Sequence, residues 1–385
     1  MQIFHYLNYI DPGTGSMLFT IVIGIATTLF FVLRGLFIKF KFALHGGNAK
    51  GDASKIPLVI YTDSKRYWNV FQPICDELEK RQIRCEYWTA SSDDPVFQES
   101  YSYISPKFIG EGNKGFARLN VMNAHICLAT TPGLDYYDAV LATGPVQIGQ
   151  LRQLEAMRGT TPKEIEVIGS TCLDSMLLKK EQLAGDSHRQ VGKTVLCAPS
   201  WGPSSILSKY GEQFVQGLLD TGYHIIIRPH PQSKTSEAEL LNALQMKFPP
   251  SDQLEWNEDN DNFQVLSRSD ILISDFSGVI FDFCYIFDRP VIYADTEFDK
   301  APYDADWLEE TPWLLTSLEK IGRKLEKEDI PRMKQVIDEV MEDVRYREAN
   351  HANRPEIWEH VGEVAVRTVD YLQKKTGFKC GAVTC

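Results

Sequence analysis

The chain has 385 residues, 43% of them hydrophobic and 24% charged, with a net charge of −12. That length and apolar content suffice for two domains with full cores and exclude an intrinsically disordered chain. The acidic balance excludes a nucleic-acid-binding surface as the main business, since phosphate backbones demand clustered Lys and Arg, so an acidic ligand has to be met by a few locally placed cations. The eight cysteines form no C-x-x-C pair and several sit inside apolar runs, which favours reduced, buried thiols over disulfides or zinc.

The amino terminus carries the first signal. No charged residue occurs between Pro12 and Leu33, and the run from Met17 to Leu33 is dense in Leu, Ile, Val and Phe, enough for one bilayer-spanning helix. Lys and Arg are absent before Arg34 and then arrive as Arg34, Lys39, Lys41 and Lys50. The positive-inside rule therefore predicts a single-pass anchor at 1–45 in the inner (cytoplasmic) membrane, with the amino terminus outside and the remaining chain in the cytoplasm. A re-entrant or surface-lying helix is the alternative. A cleaved signal peptide is not predicted, because the basic start and the small-residue cleavage site are both missing. Gly13-Thr14-Gly15 is too short to count as a phosphate loop, and the polar stretch from Gly46 to Lys55 reads as a linker.

A first domain is predicted over 55–185. Strands are expected at 58–61, 85–88, 107–109, 126–129, 139–142 and 166–168, with a helix over 68–81 whose Val70, Ile74 and Leu78 share one face. Such alternation implies a parallel, doubly wound sheet. The loop Gly110-Glu111-Gly112-Asn113-Lys114-Gly115, with Lys107 and Arg118 beside it, is read either as a contact for anionic lipid or acceptor or as a solvated loop. The polar stretch 183–192 marks the domain boundary. Gly192-Lys193-Thr194 is no Walker A motif, since Ser187 stands where the motif needs glycine.

The second domain, 190–378, holds three apolar strands that each end in a polar loop. Val195-Leu196-Cys197-Ala198 runs into Pro199-Ser200-Trp201-Gly202, where Trp201 either stacks on a base or packs. Tyr223 to Ile227 runs into Arg228-Pro229-His230-Pro231, where two prolines restrain the turn, Arg228 offers a planar fork to phosphate oxygens, and His230 can donate or carry a proton. Asp270 to Ile273 runs into Ser274-Asp275-Phe276-Ser277-Gly278, followed by an apolar helix at 279–287 and a strand at 290–294. Loops at the carboxyl ends of strands are where open α/β sheets bind ligands, and a helix start suits an anion. The hydroxyls of Ser274 and Ser277 either join that anion site or cap the helix. Helices are expected near 210–221 and 237–248, and 321–378 reads as charge-laced helix broken at Pro331 and Pro355, anchored by Trp358 and Tyr371.

Ala-Pro-Ser-Trp-Gly at 198–202, Arg-Pro-His-Pro at 228–231 and Ile-Ser-Asp-Phe-Ser-Gly-Val-Ile-Phe-Asp-Phe at 273–283 resemble the CDP-glycerol glycerophosphotransferase family of teichoic-acid-type polymer synthesis, over roughly 58–372. The resemblance implies a GT-B-like pair of Rossmann-type domains, a CDP-glycerol or CDP-ribitol donor, and a lipid-linked or polymeric glycan acceptor at the membrane. It assigns catalysis to His230 and Arg228, and donor phosphate binding to Ser200, Trp201, Gly202, Ser274, Asp275, Ser277 and Gly278. Asp275 is expected to orient the loop or bind a ribose hydroxyl, since a carboxylate aimed at pyrophosphate would repel it. No resident metal is assigned, with Mg²⁺ left open as a cofactor. Family members carry an earlier histidine in a loop of the first domain as base for the acceptor. Here Thr130-Thr131-Pro132-Gly133-Leu134-Asp135 passes directly to Tyr136-Tyr137, which leaves His125 as the nearest candidate base and keeps loss of activity open. The alternatives are a GT-B glycosyltransferase using a nucleotide sugar and a membrane-anchored, catalytically weak binding homologue.

Overall fold

A computed structural model describes residues 55–130, 134–183, 193–259, 261–294, 299 and 313–377. The expected anchor at 1–45, the linker up to 54, Thr131 to Gly133, most of the boundary stretch 183–192, and Cys380 and Cys385 lie outside the described residues. Among the described residues no helix is long and apolar enough to cross a membrane.

The first half contains β1 (Ile56–Thr62), α1 (Trp68–Lys80), β2 (Cys85–Thr89), β3 (Ile104–Phe108), α2 (Gly112–Leu119) and β4 (Ala124–Ala129), with the strands ordered β3-β2-β1-β4. β5 (Ala139–Ala142), α3 (Pro145–Arg158) and β6 (Glu164–Val167) follow, and β5 and β6 form a separate two-stranded sheet before α4 (Thr171–Leu183). The one continuous sheet expected here is thus two. β3 starts three residues earlier than expected and includes Pro106, which an edge strand tolerates because one side of its ladder is unpaired. α1 buries Phe71, Ile74, Cys75 and Leu78 against Leu58, Ile60 and Tyr87.

The second half contains β7 (Thr194–Cys197), α5 (Ile206–Leu219), β8 (His224–Ile227), α6 (Ser233–Ser236), α7 (Ala238–Lys247), β9 (Leu254–Trp256), α8 (Phe263–Arg268), β10 (Ile271–Ser274), α9 (Val279–Phe287) and β11 (Val291–Ala294). After α10 (Trp313–Ile321), β12 (Gly322–Leu325) completes a six-stranded sheet of order β12-β11-β10-β7-β8-β9. Each strand pairing described in register is parallel. Val195, Cys197, Ile225, Ile227, Ile271 and Ile273 enter one core with Phe214 and Ile337, while the alternating Leu196, Ile226 and Leu272 enter a second core with Phe283 and Ile286. This is the doubly covered sheet that near-continuous apolar strands require.

The expectation of helix throughout 321–378 is corrected by β12. It carries Arg323 and Lys324, and charge is tolerated on an edge strand, where it also discourages pairing with other chains. α11 (Met333–Glu342) and α12 (Arg345–Asn353) follow, and the chain then returns to the first half. Trp358 is buried and its Nε1–H donates to Asp174 Oδ1 at 2.9 Å, while the Asp174 carboxylate also accepts from the Gly362 and Val364 amides. The crossing needs Gly169, whose φ is +96° and where a Cβ would stand 2.1 Å from the Glu359 carbonyl oxygen. α13 (Val364–Thr376) then inserts Val369 and Leu372 into the core built on β1, β2 and α1, with Tyr371 packed beside them.

Candidate functional site

The three polar loops singled out above emerge from β10, β7 and β8, which are neighbours in the sheet. The chain leaves β7 toward β8 on one side and returns to its other side as β10, so the β7/β10 junction is a topological switch point, the place where open α/β sheets bind ligands.

One carboxylate knits the loops after β7 and β10 together. Asp275 is buried and accepts from the Ser200 N–H at 2.9 Å, the Ile206 N–H at 2.9 Å and the Phe276 N–H at 2.7 Å. Burial pushes its pKa up, while the donors from Ile206, Ser200 and Phe276 pull it back toward the charged form. Because Ile206 opens α5, the carboxylate also faces the positive end of that helix. Asp275 therefore orients the loops, as expected of it, and its oxygens are committed.

Ser274 requires a correction. It is the last residue of β10, fully buried, and its hydroxyl donates to the Ala198 carbonyl at 2.6 Å, so it ties two strand ends together and does not face an anion. Ser277 and Gly278 remain at the start of α9, half-buried and exposed respectively, where first-turn amides lack intrahelical partners. Ser200 is buried and Trp201 is half-buried. Gly202 has φ +88°, a conformation that suits glycine, and its N–H donates to Glu237 Oε1 at 3.0 Å.

Arg228 and His230 are both half-buried around a buried Pro229. Arg228 Nη1 donates to Asn257 Oδ1 at 2.6 Å, and Asn257 is in turn held through Nδ2 by Glu255 and Asp259. Burial lowers the Arg228 pKa, opposed by Asp259 and Asp261. His230 Nδ1 accepts the Gln232 N–H at 3.1 Å, which leaves the neutral ring protonated on Nε2. Burial lowers the His230 pKa as well, opposed by the charges of Glu237 and Asp275. The side chain thus presents Nε2–H as a donor, and an arriving anion favours its charged form.

His125 does not join this group. It is exposed at the amino end of β4, whereas the residues that line space in the first half, Ala129 and Thr130, stand at the other end, about 13–16 Å along the strand. It cannot act as a base for a hydroxyl held at that end. The space in question is a cavity of about 380 Å³ between the two sheets of the first half, lined by Phe71, Leu128, Tyr137 and Ile168 among others, where Thr130 Oγ1 is buried with no hydrogen-bond partner among the described residues. A groove of about 490 Å³ between α5 and α11, beside Asp220 and Lys334, lies at the amino-terminal end of β8, away from the loops. Among the described residues no cluster of His, Cys, Asp and Glu is arranged to hold a metal ion.

Sequence reasoning passed over Asn257 and Glu237. Asn257 follows a three-residue strand too short to stand out, and Glu237 in Ser-Glu-Ala-Glu looks like an ordinary helix start.

Residues 179–307 match the model of the CDP-Glycerol:Poly(glycerophosphate) glycerophosphotransferase family. No curated protein sequence matches the chain. Among solved structures, the wall teichoic acid polymerase TagF, from crystals soaked with CDPG, is similar at 15% identity and a TM-score of 0.55, covering 92% of this chain and 98% of that chain. The UDP-GlcNAc 2-epimerase of Methanocaldococcus jannaschii gives 15% identity and 0.51 over 83% of this chain and 99% of its own. That of Neisseria meningitidis gives 14% and 0.50 over 83% and 100%. At such identities these structures establish a GT-B-like α/β fold and nothing finer.

Proposed function

From the match of residues 179–307 to the model of the CDP-glycerol:poly(glycerophosphate) glycerophosphotransferase family, we propose that this transferase moves glycerol phosphate from CDP-glycerol to a hydroxyl of a glycan or polymer acceptor at the membrane. The acceptor oxygen forms a bond to the β-phosphorus, the bond from that phosphorus to the bridging oxygen breaks, and CMP leaves. Such a transfer is driven by positioning and charge stabilisation. Arg228, oriented by Asn257, holds pyrophosphate oxygens. The first turn of α9, with the Ser277 hydroxyl, takes the phosphate at its positive end. His230 Nε2–H meets the charge developing on departing CMP. The observation that carries the reading is that the loops after β7, β8 and β10 leave neighbouring strands at a switch point inside the matched segment, with Asp275 tying the loop after β10 to the loop after β7.

CDP-ribitol serves the same site with a longer alditol. Mg²⁺, where it takes part, would ride on the donor's pyrophosphate, since Asp275 is committed to amides. The hydroxyl's base belongs to the first half or to the acceptor itself. A single-pass anchor at 1–45 in the inner membrane would hold the enzyme beside a lipid-linked acceptor. The test is CMP release from CDP-glycerol and CDP-ribitol with membrane extract supplying acceptor. CMP release supports the reading. CDP-glycerol binding without release selects a binding homologue, and UDP release from nucleotide sugars selects a glycosyltransferase.

A further inference from the structure

Glu237 joins two of the site's loops and leaves one oxygen unused. It precedes α7, and its backbone N–H donates to the Ser233 carbonyl at 3.0 Å, while the Ser233 N–H donates to the His230 carbonyl at 2.9 Å, so its position is built on the His230 turn. Its side chain reaches across to the loop after β7, where Oε1 accepts the Gly202 N–H. Oε2 is buried with no hydrogen-bond partner among the described residues. Its charge is felt at His230. A buried carboxylate oxygen without a donor is costly, and in a ligand crevice it marks where a donor arrives.

The chemistry of that donor is restricted. A phosphate is excluded by like charge, and among the described residues no Lys or Arg pairs with Oε2. A hydroxyl fits, and a nucleoside diphosphate linked to an alditol carries vicinal hydroxyls on its ribose and again on the alditol. Carboxylates at the carboxyl ends of strands are suited to ribose hydroxyls in related nucleotide-binding sheets.

We propose that Glu237 Oε2 accepts a hydrogen bond from a vicinal-diol hydroxyl of the donor, so that Glu237 reads sugar hydroxyls while Arg228, His230 and the start of α9 read phosphate. The inference rests on the donor reading given above. Two sources supply this chemistry, and the test separates them.

The full chain and its Glu237→Gln and Glu237→Ala variants are titrated with CMP, 2′-deoxy-CMP, CDP-glycerol and CDP-ethanol, the last lacking the alditol diol, and thermal midpoints are recorded alongside. If the ribose is read, wild type binds CMP about 10- to 100-fold more tightly than 2′-deoxy-CMP, the worth of one hydrogen bond to a charged group, and the ratio collapses toward one in both variants. If the alditol is read, CMP and 2′-deoxy-CMP bind alike, and the variants lose only the preference for CDP-glycerol over CDP-ethanol. A purely structural Glu237 lowers the thermal midpoint and leaves both ratios intact, which overturns the proposal. So does a loss that added Mg²⁺ alone controls, since Oε2 then serves a metal. Wild type that binds none of the four ligands overturns the donor reading and this inference with it, a result distinct from wild-type binding that ignores the substitution.

Discussion

The two halves of the molecule hold their loops in different ways. In the second half, β7, β10 and β11 are buried at every position and β8 at all but His224, the loops after β7 and β10 are cross-tied by the buried Asp275 carboxylate, and Glu237 joins the loop after β7 to the segment after β8. In the first half, β4 has no fully buried residue, β6 has none and β5 has only Ala142, and a cavity separates β4 from β5 and β6. Covering a sheet on both faces leaves the strand ends few alternatives, and functional groups mounted there are placed to a fraction of an ångström. The second half is therefore the better mount for precisely placed groups, which is where the proposed donor chemistry is assigned.

The largest test of that contrast is His230→Ala. The ring hangs from a turn restrained by Pro229 and Pro231 and contributes to no core cluster, so folding should stay nearly intact. The rate of CMP release should fall by about 10² to 10⁴, the worth of one positioned acid or charge-stabilising donor. A variant with a lowered thermal midpoint and undiminished release per folded molecule would remove this histidine from the chemistry.

Asp275→Ala should act on stability first. It strands the amides of Ser200, Ile206 and Phe276 without their shared acceptor, and an orphaned buried network of this kind costs about 3–5 kcal/mol. Urea unfolding measures it. A loss under about 1 kcal/mol would mean that the loops are held by their strands alone, and the carboxylate would then need a role in ligand binding.

The second half was the more legible for the same physical reason that its strands are the more deeply buried. Apolar runs ending abruptly in Pro, Ser, Arg or His announced both the strands and the loops, and β7, β8, β10, α9 and β11 lie within a residue or two of expectation. Ser274 was misplaced because a hydroxyl at the end of a strand and one at the start of a loop look alike in sequence. It stands in register with Tyr293 on the neighbouring strand, and that pairing puts it inside the sheet. Glu237 and Asn257 act across sheet neighbours 35 and 29 positions away, which no local pattern announces. In the first half the split between the sheets left no mark in the alternation of strands and helices.

The smallest predicted effect concerns Asp282, a poorly paired carboxylate of the second half. Asp282 sits in the first turn of α9, where burial pushes its pKa up to about 6, opposed only by a long 3.4 Å hydrogen bond from Asn262. The positive end of α9 favours its charged form by about 0.3–1 kcal/mol, which is smaller than the opposing cost of burial. Since the folded-state value lies above the unfolded one, the group's contribution to stability is complete below pH ~4 and is lost as the pH rises through about 6. Asp282→Asn removes the ionisation, so at pH 8 the variant should be more stable than wild type by about 1–2 kcal/mol once partial exposure is discounted. The difference should shrink as the pH falls from 7 toward 5. Paired urea titrations across that range decide it, and a gap that is independent of pH, or a variant less stable at pH 8, would show that a cation or the α9 dipole already compensates the buried charge.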